Sequence, residues 1–138
     1  DTSFDPFSAQ VVREGTDATI VAYGPLVPVA LAAAEAAVED GRSIEVIDLR
    51  SISPLDVPTV AASVAKTGRL IVAHEAPTFG GMGGELAAAI TERCFYSLQA
   101  PVIRVGGYYM PYPVSRVEEE YVPDIDRILE AVDRAFDY

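Results

Sequence analysis

Four short apolar runs, rich in β-branched residues, alternate along the chain with longer segments of helical periodicity. The apolar runs span 18–23, 44–49, 70–74 and 102–105. Because turn residues bound them, they predict buried β-strands. The helical segments span 28–39, 56–66 and 85–95, with a last one near the C-terminal end. This alternation, with nearly continuous apolar strands, is typical of a parallel sheet covered on both faces.

One further segment, 10–13, is also compatible with a strand. It reaches the next strand through a tight turn at 15–17, so we expect it to be an antiparallel edge. The predicted fold is a three-layer α/β/α domain with a five-stranded mixed sheet of four parallel strands and one antiparallel edge strand. A length of 138 residues fits one domain. We place that domain at 10–138 and expect 1–9 to be a tail or linker end.

Charge and composition exclude several classes of function. The net charge of −11 argues against binding to nucleic acids and to anionic membranes. The longest uncharged run is interrupted by glycine and two prolines, so no transmembrane helix is expected. One cysteine and one histidine cannot form an internal disulfide or a cysteine/histidine zinc site. We expect a cytoplasmic location, and the start without methionine suggests a piece of a longer protein.

His74 and Glu75 are the candidates for catalysis, because ligands of open α/β sheets bind beyond the carboxyl ends of the strands. With Glu75 or Asp48 nearby, His74 could act as a general base. The alternative interpretation is structural, because a strand end must finish in a polar group. We favour this structural interpretation over catalysis.

The glycine-rich segment 80–84 invites a nucleotide-binding interpretation, but its spacing matches neither a dinucleotide fingerprint nor a P-loop. The helix that follows could still hold an anion at its N-terminus. A close-packed or partner-contacting turn is the favoured interpretation. Cys94 continues the apolar face of Leu86 and Ile90, which predicts a buried, inert thiol. Lys66 lies near a helix end, where its charge suits the helix dipole.

Two C-terminal features suggest contacts with other proteins. Acids outnumber arginines between Arg116 and Tyr138, which is compatible with a solvated helix face or with an acidic docking surface for a basic segment. The segment 108–113 is unusually rich in tyrosine and also carries methionine and proline. Tyrosine and methionine are favoured in the cores of interfaces, so we expect this loop to contact another subunit or domain.

An ordered set of short motifs resembles the C-terminal domain of the β subunit of thiamine-diphosphate-dependent 2-oxo acid dehydrogenases, which has the transketolase C-terminal domain fold. The motifs occupy 14–17, 45–50, 66–70, 74–77, 80–81 and 100–105. The segments 74–77 and 94–101 are more similar to the branched-chain 2-oxo acid enzyme than to the pyruvate enzyme. In this family the sheet is mixed and five-stranded, with its first strand antiparallel.

The resemblance implies assembly and docking rather than catalysis by this domain alone. Thiamine diphosphate and Mg²⁺ would be held by other domains of the full enzyme, and no Gly-Asp-Gly motif occurs here. The implied partners are the remaining β-subunit domain, the α subunit and the subunit-binding domain of the acyltransferase core. We therefore assign no catalytic, cofactor-binding or metal-binding residue.

Two positions match the docking residues of the family, namely Gln99 and the C-terminal Tyr138. Gln99 stands where relatives carry an acid, so it can accept a hydrogen bond but cannot form an ion pair. We therefore expect the acidic C-terminal segment to contribute to docking. Tyr109 likewise replaces an Asp that relatives often carry after Gly-Tyr.

The leading hypothesis is thus the assembly and docking domain of a branched-chain 2-oxo acid dehydrogenase β subunit. The same domain of a pyruvate dehydrogenase β subunit is the alternative within the family. Outside it, the alternatives are a free-standing small α/β enzyme that uses His74 and Glu75, or an anion-binding module at the glycine loop.

Overall fold

The computed structural model of the protein describes residues 5–138. Its strands are β1 (Gln10–Arg13), β2 (Ala18–Ala22), β3 (Ile44–Asp48), β4 (Leu70–Pro77) and β5 (Ile103–Gly107). Its helices are α1 (Leu26–Ala37), α2 (Val57–Thr67), α3 (Met82–Cys94), α4 (Glu118–Tyr121) and α5 (Ile125–Phe136). No helix of this described part is both long and apolar enough to cross a membrane.

The strands form one mixed sheet in the order β1-β3-β2-β4-β5. β1 is antiparallel to β3, and every other neighbouring pair is parallel. This arrangement confirms the predicted fold class, including the antiparallel edge. However, β1 pairs with β3 and not with the strand that follows it. The connecting turn crosses the start of β3, where the N–H groups of Thr16 and Asp17 both donate to Ser43 O.

Side-chain alternation along the strands fills a separate core on each face of the sheet. Ile20, Ile44 and Ile71 point to the face covered by α1 and α5. Val21, Ile47 and Val72, each an odd number of residues further along its strand, point to the face covered by α2 and α3. Because neighbouring residues of a strand point to opposite faces, the nearly continuous apolar runs bury both sides at once.

The ends of α2 follow from the sequence. Asp56 caps its N-terminus by accepting a hydrogen bond from Thr59 N at 3.2 Å, and Gly68 ends it with a left-handed backbone at φ 76°. Asp56 also accepts from Ala9 N at 2.9 Å, which ties the predicted tail to the domain. The rest of that tail includes residues 1–4, which lie outside the described residues.

The largest differences from the sequence prediction are at α3, β4 and α4. α3 begins at Met82, three residues early, with two glycines in its first turn. β4 continues to Pro77 because its end pairs with Gly107 of β5. The short α4 lies in a segment for which no helix was predicted. Glycine and proline weaken the local helix and strand signals, so these boundaries depend on tertiary contacts.

A buried polar network joins the first ends of β2 and β3 to the last turns of α2. Glu45 is only 2% exposed and accepts hydrogen bonds from Lys66 Nζ, from Ser63 Oγ at 2.5 Å and from Gly15 N at 3.2 Å. Thr19 continues the network with contacts of 2.7 Å to Ser63 and to Thr67. Lys66 does lie in the last turn of α2, but its charge mainly neutralises Glu45.

Opposing effects set the pKa of Glu45. Burial alone would raise it, but the hydrogen bonds from Lys66, Ser63 and Gly15 outweigh burial and lower the pKa. The same contact with Glu45 raises the pKa of Lys66. Both groups are therefore charged at neutral pH, and the Glu45 carboxylate accepts hydrogen bonds from three donors.

We expect Glu45→Gln to lower the free energy of unfolding at pH 7 by about 2–3 kcal/mol, less than for a fully buried pair because Lys66 is partly exposed. A lowered carboxyl pKa gives stability that is present above the ordinary value of 4.5 and is lost as the pH falls through the folded pKa. The difference between parent and variant should therefore shrink on acidification, as measured by urea unfolding from pH 7 to pH 3.

Glu14→Gln is the matched control, because Glu14 contacts the same Lys66 at 3.4 Å but is exposed. It should cost less than ~1 kcal/mol. Equal effects of the two substitutions, or a Glu45→Gln effect that does not change with pH, would contradict this account.

Candidate functional site

The carboxyl end of β4 places His74 where sequence analysis predicted a possible catalytic base. The imidazole is fully buried, and both of its nitrogens bond to backbone groups. Nδ1–H donates to Ala76 O at 2.8 Å, while Nε2 accepts from Gly83 N at 3.2 Å. This pair of bonds requires the neutral ring and leaves no nitrogen free to accept a proton from a substrate.

Three glycines enclose the imidazole. A Cβ on Gly81 would lie 2.7 Å from His74 Cε1, one on Gly83 would lie 2.8 Å from Nε2, and one on Gly106 would lie 3.0 Å from Cε1. Any side chain at these positions would therefore displace the ring. The glycine loop is a close-packed turn around His74, which agrees with the favoured interpretation of the sequence.

The charge state of His74 follows from this packing. Burial lowers its pKa, and the nearby positive charge of Arg104 lowers it further, against the raising effect of the bond to Ala76 O. Glu75 is the next residue of the strand, so its side chain points to the opposite face of the sheet from His74. The structure does not bring His74 and Glu75 together as an acid–base pair.

A different place brings together the two predicted docking residues. Gln99 and Tyr138, far apart in the sequence, line one groove of about 1000 Å³ between the outer face of α3 and the approach to β5. Gln99 N donates to Gly68 O at 2.8 Å, which fixes its backbone. Tyr138 is 71% exposed, so its side chain is available to a partner.

Exposed aromatic residues extend this groove, which we call the docking groove. Tyr96 is 99% exposed and packs edge-on against Phe95, with ring centroids 5.4 Å apart. Both follow Cys94, the last buried residue of α3, and both line the groove. Sequence analysis did not single them out, although their position beyond the buried face of Leu86, Ile90 and Cys94 signals exposure.

The tyrosine-rich loop lies at another part of the surface and is anchored at one side. Tyr121 is buried, and the ring of Tyr112 packs against it with centroids 5.0 Å apart. Tyr112 also donates a hydrogen bond to Glu118, which raises its pKa to about 12. Tyr109 stays largely exposed, and its ring packs at a tilt against the ring of Phe79, with the centroids 4.7 Å apart. The loop thus offers an apolar surface beside the carboxyl edge of the sheet.

Comparison with known proteins identifies the family. Residues 8–128 match the family described as "Transketolase, C-terminal domain". The chain belongs to this family. Over 131 residues it is 56% identical to "Pyruvate dehydrogenase E1 component subunit beta" of Leifsonia xyli, covering 95% of the chain and 39% of that relative. The transketolase C-terminal domain described here is thus of the kind found in β subunits of 2-oxo acid dehydrogenases.

Another relative carries a branched-chain name. Over 127 residues the domain is 50% identical to "3-methyl-2-oxobutanoate dehydrogenase subunit beta" of Mycobacterium tuberculosis, covering 91% of the chain and 36% of that relative. The chain therefore spans less than two fifths of the length of these curated relatives. The relatives include subunits named for pyruvate and subunits named for a branched-chain 2-oxo acid, so sequence identity alone does not separate branched-chain from pyruvate enzymes.

Solved structures agree with this assignment. "Split gene transketolase, inactive beta4 tetramer" superposes with a TM-score of 0.80 at 30% identity and covers 99% of this chain and 44% of that one. A 2-oxoglutarate:ferredoxin oxidoreductase from Magnetococcus marinus superposes with a TM-score of 0.58 at 13% identity, covering 93% of this chain and 19% of that one. Because its sequence identity is only 13%, the second similarity supports a shared fold alone.

Adjacent glycines of α3 test the packing around His74. Gly83→Ala should lower the free energy of unfolding by roughly 1–3 kcal/mol, because the new Cβ meets the buried ring. Gly84→Ala is the control in the same helical turn, where the nearest atom is 3.6 Å away. It should be neutral or stabilising by up to ~1 kcal/mol. Urea unfolding of both variants measures this, and equal effects would contradict the packing account.

The protonation state of His74 can be measured directly, because it is the single histidine of the chain. Its imidazole signals in an NMR titration should give a pKa below the ordinary 6.5. A lowered histidine pKa also means that the folded state loses stability as the pH falls below 6.5, because the unfolded chain binds the proton more readily. A pKa of 6.5 or higher would contradict the buried, neutral ring.

Proposed function

We propose that this domain serves assembly and docking in the β subunit of a 2-oxo acid dehydrogenase and does not catalyse the reaction alone. The observation that carries the proposal is the docking groove, in which Gln99 and Tyr138 lie together although the sequence separates them. Its aromatic rim is the kind of surface that interface cores use. His74 offers no competing centre, because its nitrogens are occupied.

The charge of the groove suits a basic partner. Glu92 lines it beside Gln99, and Asp137 precedes Tyr138 in a chain of net charge −11. Complementary charge speeds encounter and sets the orientation of a complex. The partner that we propose is the subunit-binding domain of the acyltransferase core, with the amide oxygen of Gln99 as an acceptor in place of a carboxylate.

The tyrosine-rich loop supports a second set of contacts, with the α subunit or the remaining β-subunit domain. Tyr109 and Phe79 form an exposed aromatic pair beside the carboxyl edge, a surface that packing within this domain does not use. One structural relative, the split-gene transketolase, is a tetramer of β chains. Assembly through this loop is therefore part of the proposed role.

Thiamine diphosphate and Mg²⁺ belong to the proposal only for the complete enzyme. Among residues 5–138, no group of three or more histidine, cysteine, aspartate or glutamate side chains could hold a metal ion. Because the chain resembles only one domain of the family's β subunit, we propose that the residues that would bind the cofactor lie in the other domains, where it would supply the carbanion chemistry of 2-oxo acid decarboxylation.

For the substrate of the complete enzyme, we propose a branched-chain 2-oxo acid, supported by the segment 74–77 and by the Mycobacterium tuberculosis relative. Pyruvate is the second candidate, because the Leifsonia xyli relative has the higher identity of the two. Comparing turnover of 3-methyl-2-oxobutanoate and of pyruvate by the assembled enzyme distinguishes them.

Gln99→Glu tests the docking role by gain of affinity. Restoring a carboxylate in the groove should tighten binding of the basic subunit-binding domain to the assembled enzyme several-fold, because a charged acceptor makes the stronger hydrogen bond. The gain should fall with added salt, because exposed charges are screened. Isothermal titration calorimetry at two salt concentrations measures both effects.

Gln10→Glu is the matched control, because it adds the same charge on exposed β1 at the opposite edge of the sheet. It should leave the affinity nearly unchanged. The proposal is wrong if both variants gain equally, which would indicate only a general effect of net charge, or if Gln99→Glu has no effect.

A further inference from the structure

Three arginines line the outer edge of β5 in a chain that is otherwise strongly acidic. Two small cavities, of about 190 and 120 Å³, lie along this edge, and Arg104 and Arg134 line both of them. Arg127 lines the smaller one. We call these two cavities the edge cleft. They lie outside the glycine loop, which is filled by its packing on His74.

These arginines lack acidic partners. Although acids outnumber bases by two to one in the chain, none of the ion pairs within residues 5–138 involves Arg104, Arg127 or Arg134. Among the described residues, the guanidinium of Arg104 donates only to Thr78 O at 3.1 Å, and that of Arg127 donates only to Gly106 O at 2.6 Å. The guanidinium groups are therefore bonded to neutral backbone oxygens or to nothing in this part of the chain.

Arg127, which lines the smaller cavity, has one buried donor that is unused. Arg127 Nη1 is out of contact with solvent and has no hydrogen-bond partner among the described residues. The side chain is held in place by its bond to Gly106 and by the ring of Tyr108, 5.1 Å away. A buried guanidinium donor without a partner is costly, so turning this guanidinium toward an acceptor in the adjoining cavity would gain a hydrogen bond.

From these observations we infer that the edge cleft binds a phosphate group. Arginine forks match oxyanions, and one bidentate arginine already satisfies a carboxylate, which carries one charge. Three arginines suit the higher charge and additional oxygens of phosphate better. The cavities are smaller than the ~300 Å³ at which pockets for larger ligands begin, so the cleft fits the phosphate group itself.

The C-terminal residue Tyr138 also lines the larger cavity and carries a main-chain carboxylate. Glu130 is the one acidic side chain that lines the cleft, and it lies between Arg127 and Arg134 on α5. It opposes an anion but leaves the balance of charge in the cleft positive. The chain as a whole is acidic, so general attraction of anions does not account for binding at this place.

Titration of inorganic phosphate into the 138-residue chain, by isothermal calorimetry at constant ionic strength, tests this inference. We expect saturable binding to one site. Arg134→Gln and Arg104→Gln should each weaken it about tenfold or more, because each removes a charged donor. Acetate, titrated separately, should bind more weakly than phosphate.

Arg93→Gln is the control, because it removes the same charge from α3 without touching either cavity. It should leave phosphate affinity unchanged, and thermal unfolding without phosphate should show that all three variants fold. The inference is overturned if phosphate does not bind saturably, if acetate binds equally well, or if Arg93→Gln weakens binding as much as the cleft variants.

Discussion

Burial of the sheet on both faces is the constraint on which the rest of this structure depends. Every residue of β2 is buried, as are the first five residues of β4, because helices cover the sheet above and below. Such a sheet has no exposed face that could bind a ligand. Function is therefore confined to the ends of strands, to the outer edge of β5 and to the outer surfaces of the helices.

The carboxyl end of β4 lies at the side of the sheet where α/β enzymes commonly bind their ligands, and it is filled by protein. His74 occupies this end, and Gly81, Gly83 and Gly106 close over it. His74 and the glycine loop, which suggested a catalytic or binding site in the sequence, therefore hold α3 against the sheet. The docking groove lies along the outer face of the same helix, beside Gln99 and Tyr138.

Local sequence patterns predicted most of the fold, because continuous apolar runs and the helix cap at Asp56 depend on residues that are close together in the sequence. The buried state of Glu45 could not be predicted in this way, since it depends on donors that α2 supplies. The early start of α3 likewise depends on contacts with His74. Gln99 and Tyr138 were predicted as docking residues from the resemblance to the family and not from a local pattern. The groove that joins them requires the C-terminus to be placed against α3, which no local pattern specifies.

In the proposed role, this domain acts through its surface. NMR mapping of a basic subunit-binding domain onto the isotope-labelled chain tests this most directly. The account predicts that the largest shift changes occur around the docking groove, at Phe95, Tyr96, Gln99 and Tyr138. Shift changes concentrated at the carboxyl end, around His74 and Gly83, would contradict it, as would the absence of any binding.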